Sequence, residues 1–234
     1  MTALHAPTPP PGRNLELTAG IGLAGALLGG LSVTVGLGPA GWVAGGGVAA
    51  ATALLLGRGL AASGAPSLGP ANAVTYARSL VVAAVTALAA VGSTTPALVV
   101  LAVLALALDG VDGMVARRTS SASALGARFD MEVDAFLILV LSLHVGRTLG
   151  VWVIAIGAAR YAFVASGWLL PWMRARLPFR YWRKVVAASQ GVVLTLAAAM
   201  VLPTAVAVLA LLIALALVWV ELAVGVFGTP FAGS

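Results

Sequence analysis

The chain has 234 residues, 61% of them hydrophobic and 9% charged, with a mean hydropathy of +1.08. A water-soluble domain carries about a quarter charged residues, so the composition excludes one and leaves an all-α integral membrane protein. The net charge of +6 fits a positive-inside bias and contacts with anionic lipid or substrate, not nucleic acid, and the absence of cysteine excludes disulfides and thiolate metal sites.

Residues 1–16, with three consecutive prolines at 9 to 11, are too polar for a signal peptide and read as a disordered tail. Residues 17–60 hold two apolar helices, at about 17–37 and 41–56. Thirteen of the 28 glycines lie between Gly20 and Gly59. In lipid, small residues let helices approach closely, and Gly25-x3-Gly29 and Gly41-x3-Gly45 have the spacing for it. Residues 61–78 form a Ser-, Gly- and Pro-rich linker followed by a short interfacial amphipathic helix. That helix carries Pro70, Asn72 and Thr75, and it places Arg78 at the headgroups. Residues 78–228 then supply six spans, at about 78–95, 97–117, 124–146, 150–170, 185–202 and 204–226, punctuated by Pro96, Gly150, Pro171 and Pro203. Because the linker precedes a complete six-helix bundle, a chain starting near Ala61 is expected to fold and keep some activity.

Charge sets the topology. With eight spans, one side of the membrane holds Arg13, Arg58, Arg78, Arg117, Arg118, Arg128, Arg174, Arg176, Arg180, Arg183 and Lys184, and the other holds Arg147. The positive-inside rule then puts both termini and the basic loop at 171–184 in the cytoplasm.

Five of the seven acidic residues, Asp109, Asp112, Asp130, Glu132 and Asp134, fall between positions 109 and 134. Carboxylates in an apolar setting mark a functional site by default. Asp109 and Asp112 are three apart, and Asp130 and Asp134 are four apart, so each pair shares one helix face. Gly113 and Gly126 stand four residues from Asp109 and Asp130, where a ligand or backbone can come close. A short loop joins the two helices, so the acidic faces converge. Carboxylates converging at low dielectric need cations, and hard divalent ions with oxygen ligands suit them. Two such ions suit phosphoryl transfer, with Arg117 and Arg118 beside the cluster to clamp phosphate. Structural ion pairs would need a matching set of buried cations, and the residues in view for that are Arg117, Arg128 and Arg160. Glu132 points to the other side of its helix, as a packing or dimer-contact residue. His144 lies about 15 Å along the helix from Asp134 and reads as interfacial, not as a ligand.

The string D-x2-D-G-x2-A-R-x8-G-x3-D-x3-D, met without a gap by Asp109, Asp112, Gly113, Ala116, Arg117, Gly126, Asp130 and Asp134, resembles the signature of the CDP-alcohol phosphotransferase family. The Pro70, Asn72, Thr75, Arg78 segment is similar to the amphipathic helix that opens that family's core. The resemblance implies a six-helix homodimeric core and says nothing of the two helices before it. It also implies two divalent cations, Mg²⁺ or Mn²⁺, on Asp109, Asp112 and Asp130, with Asp134 near or on the second. Asp112, Gly113, Ala116, Arg117 and Gly126 would bind cytidine diphosphate, and Asp134 would be the general base. The partners implied are a CDP-linked lipid donor, for which CDP-diacylglycerol is favoured, and a small polar alcohol whose identity stays open. Arg160, inside a span, with Arg180, Arg183 and Lys184 offers an anion pocket that favours a phosphorylated alcohol. The alternatives are an intramembrane Mg²⁺-dependent prenyltransferase, whose two Asp motifs lie on well-separated helices, and a cation transporter, whose carboxylates would sit at mid-membrane.

Overall fold

A computed structural model describes the backbone of residues 11–119, 123–169 and 181–227, with all of their side chains except those of residues 11, 112, 116, 117, 166–169, 181–184, 221 and 224–227. Every regular element among the described residues is helical. In chain order they are α1 (Pro11–Val35), α2 (Pro39–Ala62), α3 (Gly69–Ala90), α4 (Pro96–Thr119), α5 (Ala124–Leu149), α6 (Ile154–Leu169), α7 (Tyr181–Ala198) and α8 (Thr204–Phe227), with a 3₁₀ turn at Val151–Val153 before α6.

Proline opens several of these helices. Its missing N–H is no loss at a helix start, and its fixed φ is already helical. Pro11, Pro39 and Pro96 are first residues, and Pro70 lies in the first turn of α3. The opening at Pro11 moves residues 11–16 out of the expected tail and into α1. Glycine closes turns where φ is positive: Gly36 (75°) after α1, Gly92 (66°) after α3 and Gly150 (111°) after α5.

One expected boundary is corrected. Residues 70–78 are not a separate surface helix, because α3 runs unbroken from Gly69 to Ala90. Arg78 does not face outward to reach headgroups: it is 1% exposed. Its charge is met inside the protein, by carboxylates described below, so it has no need of the surface. His144 is likewise buried, at 6% exposure.

Among the described residues, four helices are long and apolar enough to cross a membrane: Gly12–Val35, Pro39–Ala62, Gly69–Ala90 and Pro96–Val115. Shorter apolar stretches follow at Val151–Ala165, Val185–Ala198 and Thr204–Val220. The protein is an integral membrane protein.

The chain forms two compact units, one of residues 1–91 and 107–133, the other of residues 92–106 and 134–234. In the first, α2 packs along α3, and α1 packs on both. The glycines of α2 explain how closely. A Cβ at Gly45 would stand 2.9 Å from both the Ala83 carbonyl oxygen and the Ala87 Cβ on α3, and one at Gly41 would stand 3.1 Å from the Ala87 carbonyl oxygen. At Gly25 and Gly29 of α1, a Cβ would meet nothing within 4 Å among the described residues, so of the two glycine pairs the second is the helix contact. In the second unit, Gly157 of α6 lies against Leu139 and Ser142 of α5, Gly191 of α7 lies against Leu106 of α4, and α7 and α8 pair.

This contrast gives a test. Gly45→Val is expected to destabilise the protein by about 1–3 kcal/mol through overpacking against backbone, and Gly25→Val by less than about 0.5 kcal/mol. Thermal unfolding in detergent would compare the two. Equal midpoints would contradict the packing described.

Candidate metal centre

α4 ends, and α5 begins, with the acidic residues that each helix otherwise lacks. The last turns of α4 carry Asp109, Asp112, Gly113, Ala116 and Arg117, and the first turns of α5 carry Gly126, Asp130, Glu132 and Asp134. The third contributor is α3, which brings Arg78 to the same place.

Arg78 is the centre of the arrangement. Its Nη1 donates to Asp109 Oδ1 at 2.5 Å. Its Nη2 donates to Asp130 Oδ1 and, at 3.2 Å, to the Asp130 backbone carbonyl. The guanidinium is planar with a fixed fork of donors, which lets one side chain engage two carboxylates in a set geometry. Arg78 is 1% exposed, whereas the Asp109 and Asp130 side chains are 43% and 35% exposed. The cation is therefore sealed in the protein while the carboxylates reach its surface, where a ligand can arrive.

Asp109, Asp130 and Asp134 each offer a carboxylate oxygen, and these oxygens lie within 4.8 Å of one another. α5 is unbroken from Asp130 to Asp134, so the helix itself sets that one-turn step. The donor set fits a divalent ion. All its ligand atoms are hard oxygens, the kind such ions take. A carboxylate has two oxygens, so the bonds from Arg78 to Oδ1 of Asp109 and of Asp130 are compatible with metal ligation by the same side chains.

Gly126 lies where α5 meets α3. A Cβ there would run into Asn72 Oδ1, and the Gly126 N–H donates to Ser123 Oγ at 3.0 Å. Asn72, 8% exposed, donates from Nδ2 to the Leu68 carbonyl at 2.7 Å. The glycine thus permits a close approach of α5 to α3 beside the acidic cluster. Gly113 is half-buried on α4. Asp112, Ala116 and Arg117 lie on α4, and their side chains are outside the described set. Glu132 is exposed. Of the expected anion pocket, Arg160 is half-buried on α6. Arg183 and Lys184 lie in the first turn of α7 with side chains outside the described set, and Arg180 is outside the described residues.

The residue that sequence reasoning missed is Arg78. The ion-pair count over Arg117, Arg128 and Arg160 left out the cation that reaches both Asp109 and Asp130. A signal existed: Arg78 is the lone charge in the apolar run of α3, and a cation there needs an anion as much as a lone carboxylate needs a cation.

A family model described as CDP-alcohol phosphatidyltransferase matches residues 69–227, more than half of the chain. The match begins with the first residue of α3 and ends with the last of α8. No curated protein and no solved structure matches the chain.

Proposed function

The chain belongs to the CDP-alcohol phosphatidyltransferase family, whose members transfer a phosphatidyl group from a CDP-alcohol, and on that premise we propose a donor, an acceptor and a set of residue roles for it. The donor is CDP-diacylglycerol and the acceptor a polar, phosphorylated alcohol. The observation that carries this reading is the convergence of Asp109, Asp130 and Asp134 around Arg78 on adjacent helix ends of an apolar protein. The motifs of a prenyltransferase would lie on well-separated helices; here they lie on consecutive ones.

Two divalent cations, Mg²⁺ or Mn²⁺, held by Asp109, Asp112, Asp130 and Asp134, would supply charge neutralisation for the phosphate oxygens and polarisation of the acceptor oxygen. The chain's own residues do the rest. Asp112, Gly113, Ala116, Arg117 and Gly126 hold the cytidine diphosphate, with Arg117 offering paired donors to phosphate oxygens. Asp134 takes the proton from the acceptor hydroxyl. The acceptor oxygen forms a bond to the β-phosphorus, the bond from that phosphorus to the bridging oxygen breaks, and CMP leaves with the bridging oxygen. The other product is a phosphodiester. A carboxylate is a weak base for an alcohol, so positioning supplies much of the effect. The distribution of basic residues supports an active site and both termini on the cytoplasmic side of the membrane, which we take to be a bacterial plasma membrane. A homodimer is part of the same reading.

For the acceptor, Arg160, with Arg180, Arg183 and Lys184, forms the anion pocket. Arg160→Ala and Arg183→Ala are expected to raise the KM for the acceptor about tenfold or more while leaving the KM for the CDP-lipid within about twofold, since they remove binding at one site. The test is CMP release from CDP-diacylglycerol with glycerol 3-phosphate, inositol phosphate, inositol, serine and choline in turn. A clear preference for an uncharged or cationic alcohol would rule out this pocket.

A further inference from the structure

The family match begins at residue 69, so α1 and α2 lie outside it, yet they belong to the same compact unit as α3 and the polar ends of α4 and α5. Two kinds of contact tie them there. At the start of α3, Glu16 Oε2 accepts the Leu68 N–H at 2.8 Å, and the Tyr76 hydroxyl donates to the Leu17 carbonyl at 3.0 Å. The Tyr76 ring lies against Gly20, where a Cβ would collide with it. At the start of α5, Gly59 of α2 faces Leu125, and a Cβ at Gly59 would stand 2.5 Å from Leu125 Cδ1. Leu125 and Phe129 pack on the apolar cluster that holds Leu56, Leu60, Leu68, Tyr76 and Leu80.

These anchors bracket the chemistry. Leu68 and Tyr76 flank Asn72, and Asn72 meets Gly126. Arg78 follows Tyr76 by two residues and holds Asp109 and Asp130. Leu125 and Phe129 are the residues immediately before Gly126 and Asp130. Any movement of α1–α2 away from α3 and α5 loosens the approach of Gly126 to Asn72 and the ends that carry Arg78 and Asp130.

We propose that the α1–α2 hairpin is a positioning element of the donor site. It sets the spacing of the α3 and α5 ends between which the cytidine diphosphate group is held, with Tyr76 and Gly59 as its key contact residues. It adds a role for these helices to the expectation that a chain starting near Ala61 folds and keeps some activity. It rests on the donor reading given above.

The test uses the full chain and two measurements: CDP binding by calorimetry in the presence of Mn²⁺, and steady-state CMP release. Tyr76→Phe keeps the ring and removes only the bond to Leu17. Its CDP Kd and its KM for the CDP-lipid are expected to rise about fivefold, the worth of about one hydrogen bond. Gly59→Val, wedged against Leu125, is expected to raise both further. Gly25→Val, on the open side of α1, is the control and leaves both unchanged. The acceptor KM stays within about twofold in all three. Unchanged CDP binding in Tyr76→Phe and Gly59→Val, or equal rises for donor and acceptor, would overturn the proposal. Should Gly59→Val fail to fold, Tyr76→Phe decides alone. Failure of the underlying reading looks different: the unmodified chain would then neither bind CDP nor release CMP, and the proposal would fall with it.

Discussion

Replacing Arg78 with alanine is expected to inactivate the protein and to lower its stability by about 3 kcal/mol, the low end for removing one partner of a buried ion pair. The low end applies because Asp109 and Asp130 are 43% and 35% exposed, so water takes up part of the lost interaction. The loss is still large. Asp109 Oδ1 and Asp130 Oδ1 share one guanidinium, and without it two carboxylates face each other with that shared cation gone. Their geometry as ligands goes too. Arg78→Lys is expected to recover part of the stability and little of the activity, because an ammonium cannot engage both carboxylates through a planar pair of donors. Thermal unfolding and CMP release on the same preparations would show this. An Arg78→Ala protein with normal stability and turnover would mean that the buried cation organises nothing.

The second large effect is at Asp134. Asp134→Asn is expected to lower kcat about 10²- to 10⁴-fold, the usual contribution of a general base, while the KM for the CDP-lipid changes little. Asparagine keeps the size and a ligand oxygen but has no basic site for the acceptor proton. Asp109→Asn and Asp130→Asn should behave differently. They lose turnover together with most divalent-cation binding, because Asp109 and Asp130 carry ligand charge that Asp134, near or on the second cation, only supplements, and Asp130→Asn also weakens the anchor of Arg78. Direct Mn²⁺ titration beside the kinetics separates the two classes. Near-normal turnover in Asp134→Asn would assign the base elsewhere.

Much of this architecture was legible in the sequence because its punctuation is local. Pro96, Gly150 and Pro203 act within a turn of where they stand, so α4 to α8 begin and end within a few residues of where the pattern puts them, whereas α1 starts six residues and α3 nine residues before the expected spans. The carboxylates were legible for the same reason: the three- and four-residue steps are intrahelical, and a short loop fixes α4 and α5 as neighbours. The features that escaped are contacts between segments far apart in the chain. Arg78 reaches residues 31 and 52 positions away, and Tyr76 reaches one 59 away. No local pattern states which distant anion a lone cation will meet, and the headgroups were the default. The glycine pairs show the same limit. Gly25-x3-Gly29 and Gly41-x3-Gly45 are alike as strings, yet one faces open space and the other faces the backbone of α3. The motif permits a close approach; a partner helix has to be there to use it.

The most direct test of the central claim is CMP release by the purified full chain supplied with CDP-diacylglycerol, with and without an alcohol acceptor and with and without divalent cations. CMP is expected only when both are present, EDTA is expected to abolish its release, and Mg²⁺ or Mn²⁺ is expected to restore it. Full CMP release in EDTA, or none with any alcohol of the panel, would contradict that claim.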